Sequence, residues 1–408
     1  MDIGERALFP EMYDNQGGAG ILPWQEIRRM VRNGQISASP DVDDSQIQPA
    51  SIDLRLGREA YRVQASFLRG KSATLLTKVQ ELLDSTIDLT QPTPPLLEPG
   101  VVYIIPLLER LRLSSDVQGI ANPKSTTGRL DIFTRLITEH GDQFDRVPRG
   151  YKGLLYAEVS SRTFPIRVRA GMTLNQLRFV RGQSPNVLDP VRNGDLKQLA
   201  KEYDLVYDHE GHPTTEHIGD GIEITVDLEG ECASNIVAYR AKESPRAIEL
   251  DKINYYDPED YWEAIRRPRL GHIILAKGGF YLLASKGKVS IPLNHAAEML
   301  AHDPSMGEFR VHYAGFFDPG FGYGSKKGEI LGTKAVLEVR AYEVPILLED
   351  NDVVGRLHYY QMAGIPDKVY GLSIGSSYQQ QGLALSKQFK RPAAEHGCPS
   401  GNTTLMTA

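Results

Sequence analysis

Cysteine is almost missing from this 408-residue chain: only Cys232 and Cys398 occur, far apart in sequence. A disulfide framework is thereby excluded, and a cytoplasmic, reducing location is the expectation. The same scarcity removes zinc-assisted attack on a nucleobase, which needs His or Cys plus a P-C-x-x-C pair to hold the metal. There is no G-x-x-x-x-G-K-[ST] loop, so phosphate handling of the P-loop kind is not expected. No apolar run approaches the roughly 20 residues of a membrane helix. The amino terminus (MDIGERALFPEMYDN) is acidic and broken by Pro10, unlike a signal or transit peptide. Basic excess is also lacking. Lys and Arg number 46 against 52 Asp and Glu, a net charge of −6, so neither a nucleic acid nor a membrane is the expected partner.

What the chain does hold is Gly (38) and Pro (25), punctuating apolar runs of four to eight residues such as Val101–Pro106, Arg167–Val180 and Lys334–Val344. That rhythm predicts an all-β sandwich or barrel. Helical patterns are few: Pro23–Gly34, with Pro at the first turn and Gly at the stop, Val191–Tyr203 and Asp257–Ile265. Asp208–Gly221 reads as a linker. Its His209, His212 and His217 match no ligand spacing and read as a solvated loop, so no protein metal site is expected.

An internal repeat organises the rest. Leu155–Phe179 and Ala335–Tyr359 align with one offset, since Glu158 and Glu338, Pro165 and Pro345, and Phe179 and Tyr359 are all 180 apart. Ser51–Leu56 (SIDLRL) is echoed by Thr225–Glu229 (TVDLE), and Pro99–Ile104 (PGVVYI) by Lys277–Leu282 (KGGFYL). Two copies of one β-domain follow. The expected layout is an N-terminal extension with a short helix (1–40), a first domain (41–190), a helix and linker (191–220), a second domain (221–390) and a flexible tail (391–408).

Three stretches carry candidate chemistry. Asn122–Arg129 (NPKSTTGR) packs Lys124, Ser125, Thr126, Thr127 and Arg129 together: a point charge, a forked donor and short hydroxyls, as a triphosphate needs. It also fits a polar turn before a strand. Glu158 and Glu338 sit inside apolar strands, and alternation puts Val336, Glu338 and Arg340 on one face, Leu337 and Val339 on the other. Such a carboxylate either faces water or, if buried in a pocket, is raised toward the range of a general base. His312–Gly322 (HYAGFFDPGFG) concentrates aromatics and glycines around Asp318. It reads as a hairpin whose glycines let backbone approach a flat ligand and whose Tyr313, Phe316 or Phe317 stack on it.

Together these pieces resemble the dCTP deaminase family of the dUTPase superfamily. Ile47–Gly57 (IQPASIDLRLG) is close to its amino-terminal signature, and Lys124–Arg129 is similar to its phosphate-binding segment, with Lys124 at the first Arg. His312–Gly322 resembles the hairpin that cradles pyrimidine and deoxyribose. Ala335–Val339 (AVLEV) resembles the strand with the catalytic glutamate. Tyr370, Tyr378–Gly382 (YQQQG) and Ser386-Lys387 resemble the carboxy-terminal segment that closes over the nucleotide. The departure is the doubling, because family members are typically half this length and trimeric.

The resemblance implies two tandem dUTPase-like domains, each a distorted jelly roll or β-barrel. It implies zinc-independent deamination of dCTP to dUTP and ammonia, with Glu338 as base and Ser125 and Arg129 holding it (Glu158 being the alternative base). Substrate contacts would come from Lys124, Thr126, Thr127, Tyr313, Ala314, Asp318, Val336, Leu337, Tyr370, Tyr378, Gln380 and Gln381. Magnesium would arrive with the triphosphate, and a homo-oligomer is expected, either a trimer of chains or a pseudo-symmetric assembly. Aligning Pro123 with Pro292 sets Lys124 opposite Leu293 and Arg129 opposite Glu298, so the second copy lacks the cations. Phe144–Gly153 (FDRVPRGYKG) stands where the second copy has its hairpin. One shared site is therefore expected, phosphates on the first copy and base on the second. Two other readings remain: a dUTPase or bifunctional enzyme continuing to dUMP, and a nucleotide-sensing regulator without turnover.

Overall fold

A computed structural model describes residues 18–68, 74–230, 235–243, 246–300, 309–311, 315–324, 331–371 and 382–391. The first copy has strands β1 (Ile52–Arg55), β2 (Glu59–Val63), β3 (Leu83–Asp88), β4 (Val102–Arg112), β5 (Val117–Pro123), β6 (Ile132–Thr138), β7 (Arg146–Val147), β8 (Lys152–Ser161) and β9 (Thr173–Arg181). The second repeats the series as β10 (Gly221–Thr225), β11 (Ile236–Ala241), β12 (Trp262–Arg266), β13 (Phe280–Val289), β14 (His295–Leu300), β15 (Phe309–Val311), β16 (Phe316–Phe317), β17 (Thr333–Ala341) and β18 (Val353–Gln361). Each copy folds into two antiparallel sheets. One runs β7-β5-β9-β1, and β16-β14-β18-β10 in the second copy; the other runs β3-β2-β4-β8-β6, and β12-β11-β13-β17-β15. The fold is all-β, dUTPase-like and doubled.

Strand register aligns the copies residue by residue. Glu158 lies opposite Ile104 as Glu338 lies opposite Leu282, so the 180-residue repeat holds in space. Two sequence alignments shift. Asn122 faces Gln176 as Leu300 faces Arg356, which places the counterpart of KSTTGR after Leu300 and pairs Glu298 with Ile120, not with Arg129. Arg55 faces Thr173 as Thr225 faces Val353, so Ile52–Leu56 matches Ile222–Val226 and not Val226 onward. Chance identities (Pro with Pro, Asp-Leu with Asp-Leu) outweighed the ladder in those short alignments. The ladder decides, because a register slip moves every side chain to the wrong face.

Helices are few, as expected. Trp24–Arg32 forms α1, capped by Pro23 and stopped before Gly34 (φ 69°), and turns Trp24, Ile27 and Met30 into the first copy's core. Leu75–Leu82 (α2), which the patterns did not reveal, opens on a Thr74 hydroxyl cap at 3.2 Å. Ser125–Gly128 forms a single turn, α3, and Asn193–Tyr203 forms α4. Asp257–Ile265 is not a helix. It makes one turn, Pro258–Tyr261, and then becomes β12, because Trp262 joins the ladder against Ala241 and packs edge-on to Phe164 at 5.5 Å. The expected linker 208–221 is also partly structured, with Ile218–Gly219 paired to Gly221–Ile222.

The apolar side chains form two main cores. Leu337, Val339, Leu283 and Tyr281 belong to the second copy's own core. Val336, Leu282, Phe280 and Trp262 join the first copy's core instead. The alternation along β17 is thus real, but its second face is covered by the other copy instead of by water.

Candidate active site

Glu338 stands on that covered face and is 6% exposed. A carboxylate strand position that alone would face water is desolvated because the first copy packs over it. Burial pushes its carboxyl up to about 7, against the pull of the nearby Arg129 guanidinium. Arg129 follows α3 in the first copy, is itself buried, and donates Nη1–H to the Ala384 carbonyl at 3.0 Å. Residues 209 positions apart in sequence are therefore electrostatic neighbours.

The turn that carries Arg129 also builds a cavity of about 240 Å³, lined by Lys124, Thr126, Thr127, Thr173, Lys387 and Gln388 among others. Lys124 Nζ donates to Asp53 and, at 2.9 Å, to Thr173 Oγ1. Burial and the Lys124 charge push Lys387 down from the ordinary lysine value. Two repelling ammonium groups sharing a cavity are what a polyanion neutralises. The carboxy-terminal segment closes one side, with Ser386 Oγ donating to the Thr126 carbonyl at 3.0 Å. The Thr127 hydroxyl is already spent on the Leu174 carbonyl at 3.0 Å.

The hairpin carrying Asp318 is held from the first copy. Arg178, fully buried, donates to the Ala297 carbonyl (2.9 Å), the Phe317 carbonyl (2.8 Å) and Asp318 Oδ1 (3.3 Å), with its guanidinium over the Phe316 ring at 3.9 Å. Burial raises the Asp318 carboxyl, Arg178 lowers it, and the Asp53 charge raises it. Two of the hairpin's glycines, Gly320 and Gly322, lie close against other backbone. A Cβ on Gly322 (φ 64°) would lie 2.2 Å from the Val289 carbonyl oxygen. Its aromatics are likewise engaged: Phe317 packs on Phe321 at 5.1 Å, and Phe321 on Tyr370 at 5.5 Å.

Of the expected site residues, the structure gathers Lys124, Ser125, Thr126 and Arg129 on one turn and Glu338 and Val336 on the facing strand. Asp318 and Tyr370 meet at the hairpin, where the Tyr370 N–H donates to the Pro319 carbonyl. The Leu337 side chain is buried in the second copy's core. Tyr313, Ala314, Tyr378, Gln380 and Gln381 lie outside the described residues. Asp53 and Arg178 were missed. Asp53 carried a signal in the IQPASIDLRLG stretch, whereas nothing local marks Arg178.

Glu158 is engaged elsewhere. Its Oε1 receives Arg135 Nη2 at 2.6 Å and Nε at 3.1 Å, and that guanidinium lies 3.5 Å over Phe144. Register puts Pro148 where the second copy has Asp318. The first copy thus keeps a glutamate whose surroundings are filled by its own side chains. Among the described residues, Asp208, Glu210 and His212 bring three possible metal-ligand atoms within 4.8 Å, on a loop where Glu210 and His212 are exposed.

Residues 18–183 match the 2'-deoxycytidine 5'-triphosphate deaminase N-terminal domain, and residues 192–389 match the C-terminal domain of the same name. A dCTP deaminase of Natronomonas pharaonis is 31% identical over 167 residues, 40% of this chain and 82% of that protein. A "dCTP deaminase, dUMP-forming" of Mycolicibacterium vanbaalenii is 29% identical over 171 residues, with shares of 40% and 82%. The crystal structure of a 2'-deoxycytidine 5'-triphosphate deaminase from Agrobacterium tumefaciens superposes with a TM-score of 0.77 at 42% identity. That match covers 85% of this chain and 99% of the other.

Proposed function

Because the chain belongs to the 2'-deoxycytidine 5'-triphosphate deaminase family, we propose that it hydrolyses dCTP to dUTP and ammonia at one site shared by its two copies. The observation that carries this reading is the buried Glu338 of the second copy beside Arg129 of the first. With its carboxyl pushed up to about 7, Glu338 is partly ionised at neutral pH and basic enough to take a proton from water. The hydroxide adds to C4 of cytosine. The protonated Glu338 gives that proton to N3, then takes the proton of the new C4 hydroxyl and passes it to the exocyclic amine, which leaves as ammonia as the C4 carbonyl forms.

Arg129 keeps part of the Glu338 population ionised, and Ser125, at the start of α3, offers a hydroxyl on the same turn. Lys124 and Lys387 receive the triphosphate, entering as Mg·dCTP with the ion on phosphate oxygens. The cavity suits that division of labour, since Lys124 and Lys387 both line it, with Asp251 on its wall and Asp53 on Lys124 offsetting part of their charge. The two-cysteine composition supports a zinc-independent reaction. Incubation with Mg·dCTP, with dCTP, dUTP and dUMP resolved by chromatography, tests all of this. dUTP is expected, dUMP would favour the bifunctional reading, and unchanged dCTP would favour the sensor. Activity lost to a zinc-selective chelator and restored by zinc alone would reverse the metal assignment.

Lys387→Met should raise the KM for Mg·dCTP about 10-fold or more with a smaller change in kcat. A buried charged hydrogen bond to phosphate is worth about 1.5–3 kcal/mol. Steady-state kinetics on the full chain reads it, and an unchanged KM removes Lys387 from the phosphate cavity.

A further inference from the structure

Glu338 shares its face of β17 with Arg340, which the reaction above leaves unused. Arg340 Nη2 donates to Asp131 and, at 2.8 Å, to Thr163 Oγ1, while its Nη1 donates to the Gly278 carbonyl. Thr163 Oγ1 in turn donates to Asp131 Oδ2 at 2.6 Å. Asp131 is fully buried and lies two residues past Arg129 in a left-handed conformation (φ 56°). Its N–H donates to the Gly128 carbonyl at 2.9 Å, and its own carbonyl accepts from Arg162 at 3.0 Å. Two pairs with the same i, i+2 spacing therefore face each other across the copies: Glu338 and Arg340 on β17, Arg129 and Asp131 on the turn from α3 into β6.

We propose that the Asp131–Arg340 pair is a positioning element of the deamination site, locking the first copy's α3–β6 turn onto β17 and so fixing Arg129 against Glu338. The inference rests on the deaminase reading above. On β17 residues i and i+2 stand on one face about 7 Å apart, and Asp131 lies only two residues past Arg129, so an anchored Arg340 leaves the neighbouring pair little freedom to drift. The pair neutralises itself, so it adds order without adding net charge beside Glu338. The first copy supplies the contrast. Register places Ser160 where the second copy has Arg340, and Glu158 there takes Arg135 of its own copy instead. Among the described residues, the cross-copy clasp stands beside the glutamate that faces the other copy.

The test is steady-state kinetics with Mg·dCTP, with binding by calorimetry, on Asp131→Asn, Arg340→Gln, their double variant and Arg340→Lys. Each single variant should lose about 30–100-fold in kcat, the scale of a misplacement near 1 Å, with KM and Kd within about 3-fold of wild type. The double variant should be no more than about 3-fold worse than the worse single one, and Arg340→Lys should recover part of the loss. Asp227→Asn is the control. It breaks a comparably buried pair, Lys334–Asp227 at 2.6 Å on the same strand within the second copy, and should lower Tm while keeping kcat within about 3-fold. Should Asp131→Asn not fold, Thr163→Val removes only the bridging hydroxyl, and about a 5-fold drop in kcat is expected. Folded variants with wild-type kcat, a loss confined to KM, or losses that multiply in the double variant overturn the inference alone. A wild-type chain that leaves dCTP unchanged overturns the deaminase reading and this inference with it.

Discussion

Glu338→Gln binds Mg·dCTP nearly as well as wild type and turns it over at least 10²–10⁴-fold more slowly, the span of a lost general base. The amide keeps the shape and cannot take the proton. Calorimetry and product chromatography on the same preparation separate binding from turnover. Glu158→Gln should leave turnover nearly intact, because Glu158 is tied to Arg135. A dead Glu158 variant beside an active Glu338 variant would reverse the assignment.

Two pH effects accompany the first prediction. Wild-type kcat should fall as pH drops below about 7, where Glu338 becomes protonated. Stability should run the other way. The folded carboxyl is raised above its unfolded value, so the fold favours the protonated form; that contribution is complete below about 4.5 and is lost as pH rises through about 7. Glu338→Gln should therefore gain Tm over wild type at pH 8 and little at pH 4.

Arg129→Ala abolishes the activity of the whole chain instead of halving it. Removing the Arg129 charge from the site that takes the polyanion should weaken nucleotide binding by about 1.5–3 kcal/mol, roughly 10–150-fold in Kd. The same change removes the cation that pulls the Glu338 carboxyl down, so the acid limb of the kcat profile should move above pH 7. Only the first copy has these cations. In the second, the sequence that follows Leu300, 301–307, contains neither Lys nor Arg. Glu298, displaced by that register to the position of Ile120, accepts from Asn122 Nδ2 at 3.1 Å, and Glu298→Ala should barely affect turnover. Residual activity near half for Arg129→Ala, or two nucleotides bound per chain by calorimetry, would falsify the shared site.

The sequence by itself determined what is local. The Gly- and Pro-punctuated apolar runs specify strands, the even offset between Glu158 and Glu338 specifies two copies, and KSTTGR specifies a cationic turn. Each depends on neighbours within a few residues or on an identity repeated along the chain. Both carboxylates are buried, and tertiary structure decided which cation each of them meets. Glu158 and Glu338 sit in nearly the same strand pattern, yet one meets Arg135 of its own copy and the other meets Arg129 of the opposite copy. Burial belongs to whatever packs on a face, and for β17 that is a core formed far away in sequence. The partners of Asp318 and Arg340, which are Arg178 and Asp131, lie 140 and 209 residues from them. No periodicity reaches that distance, because a buried ion pair is set by the geometry of two folded copies meeting.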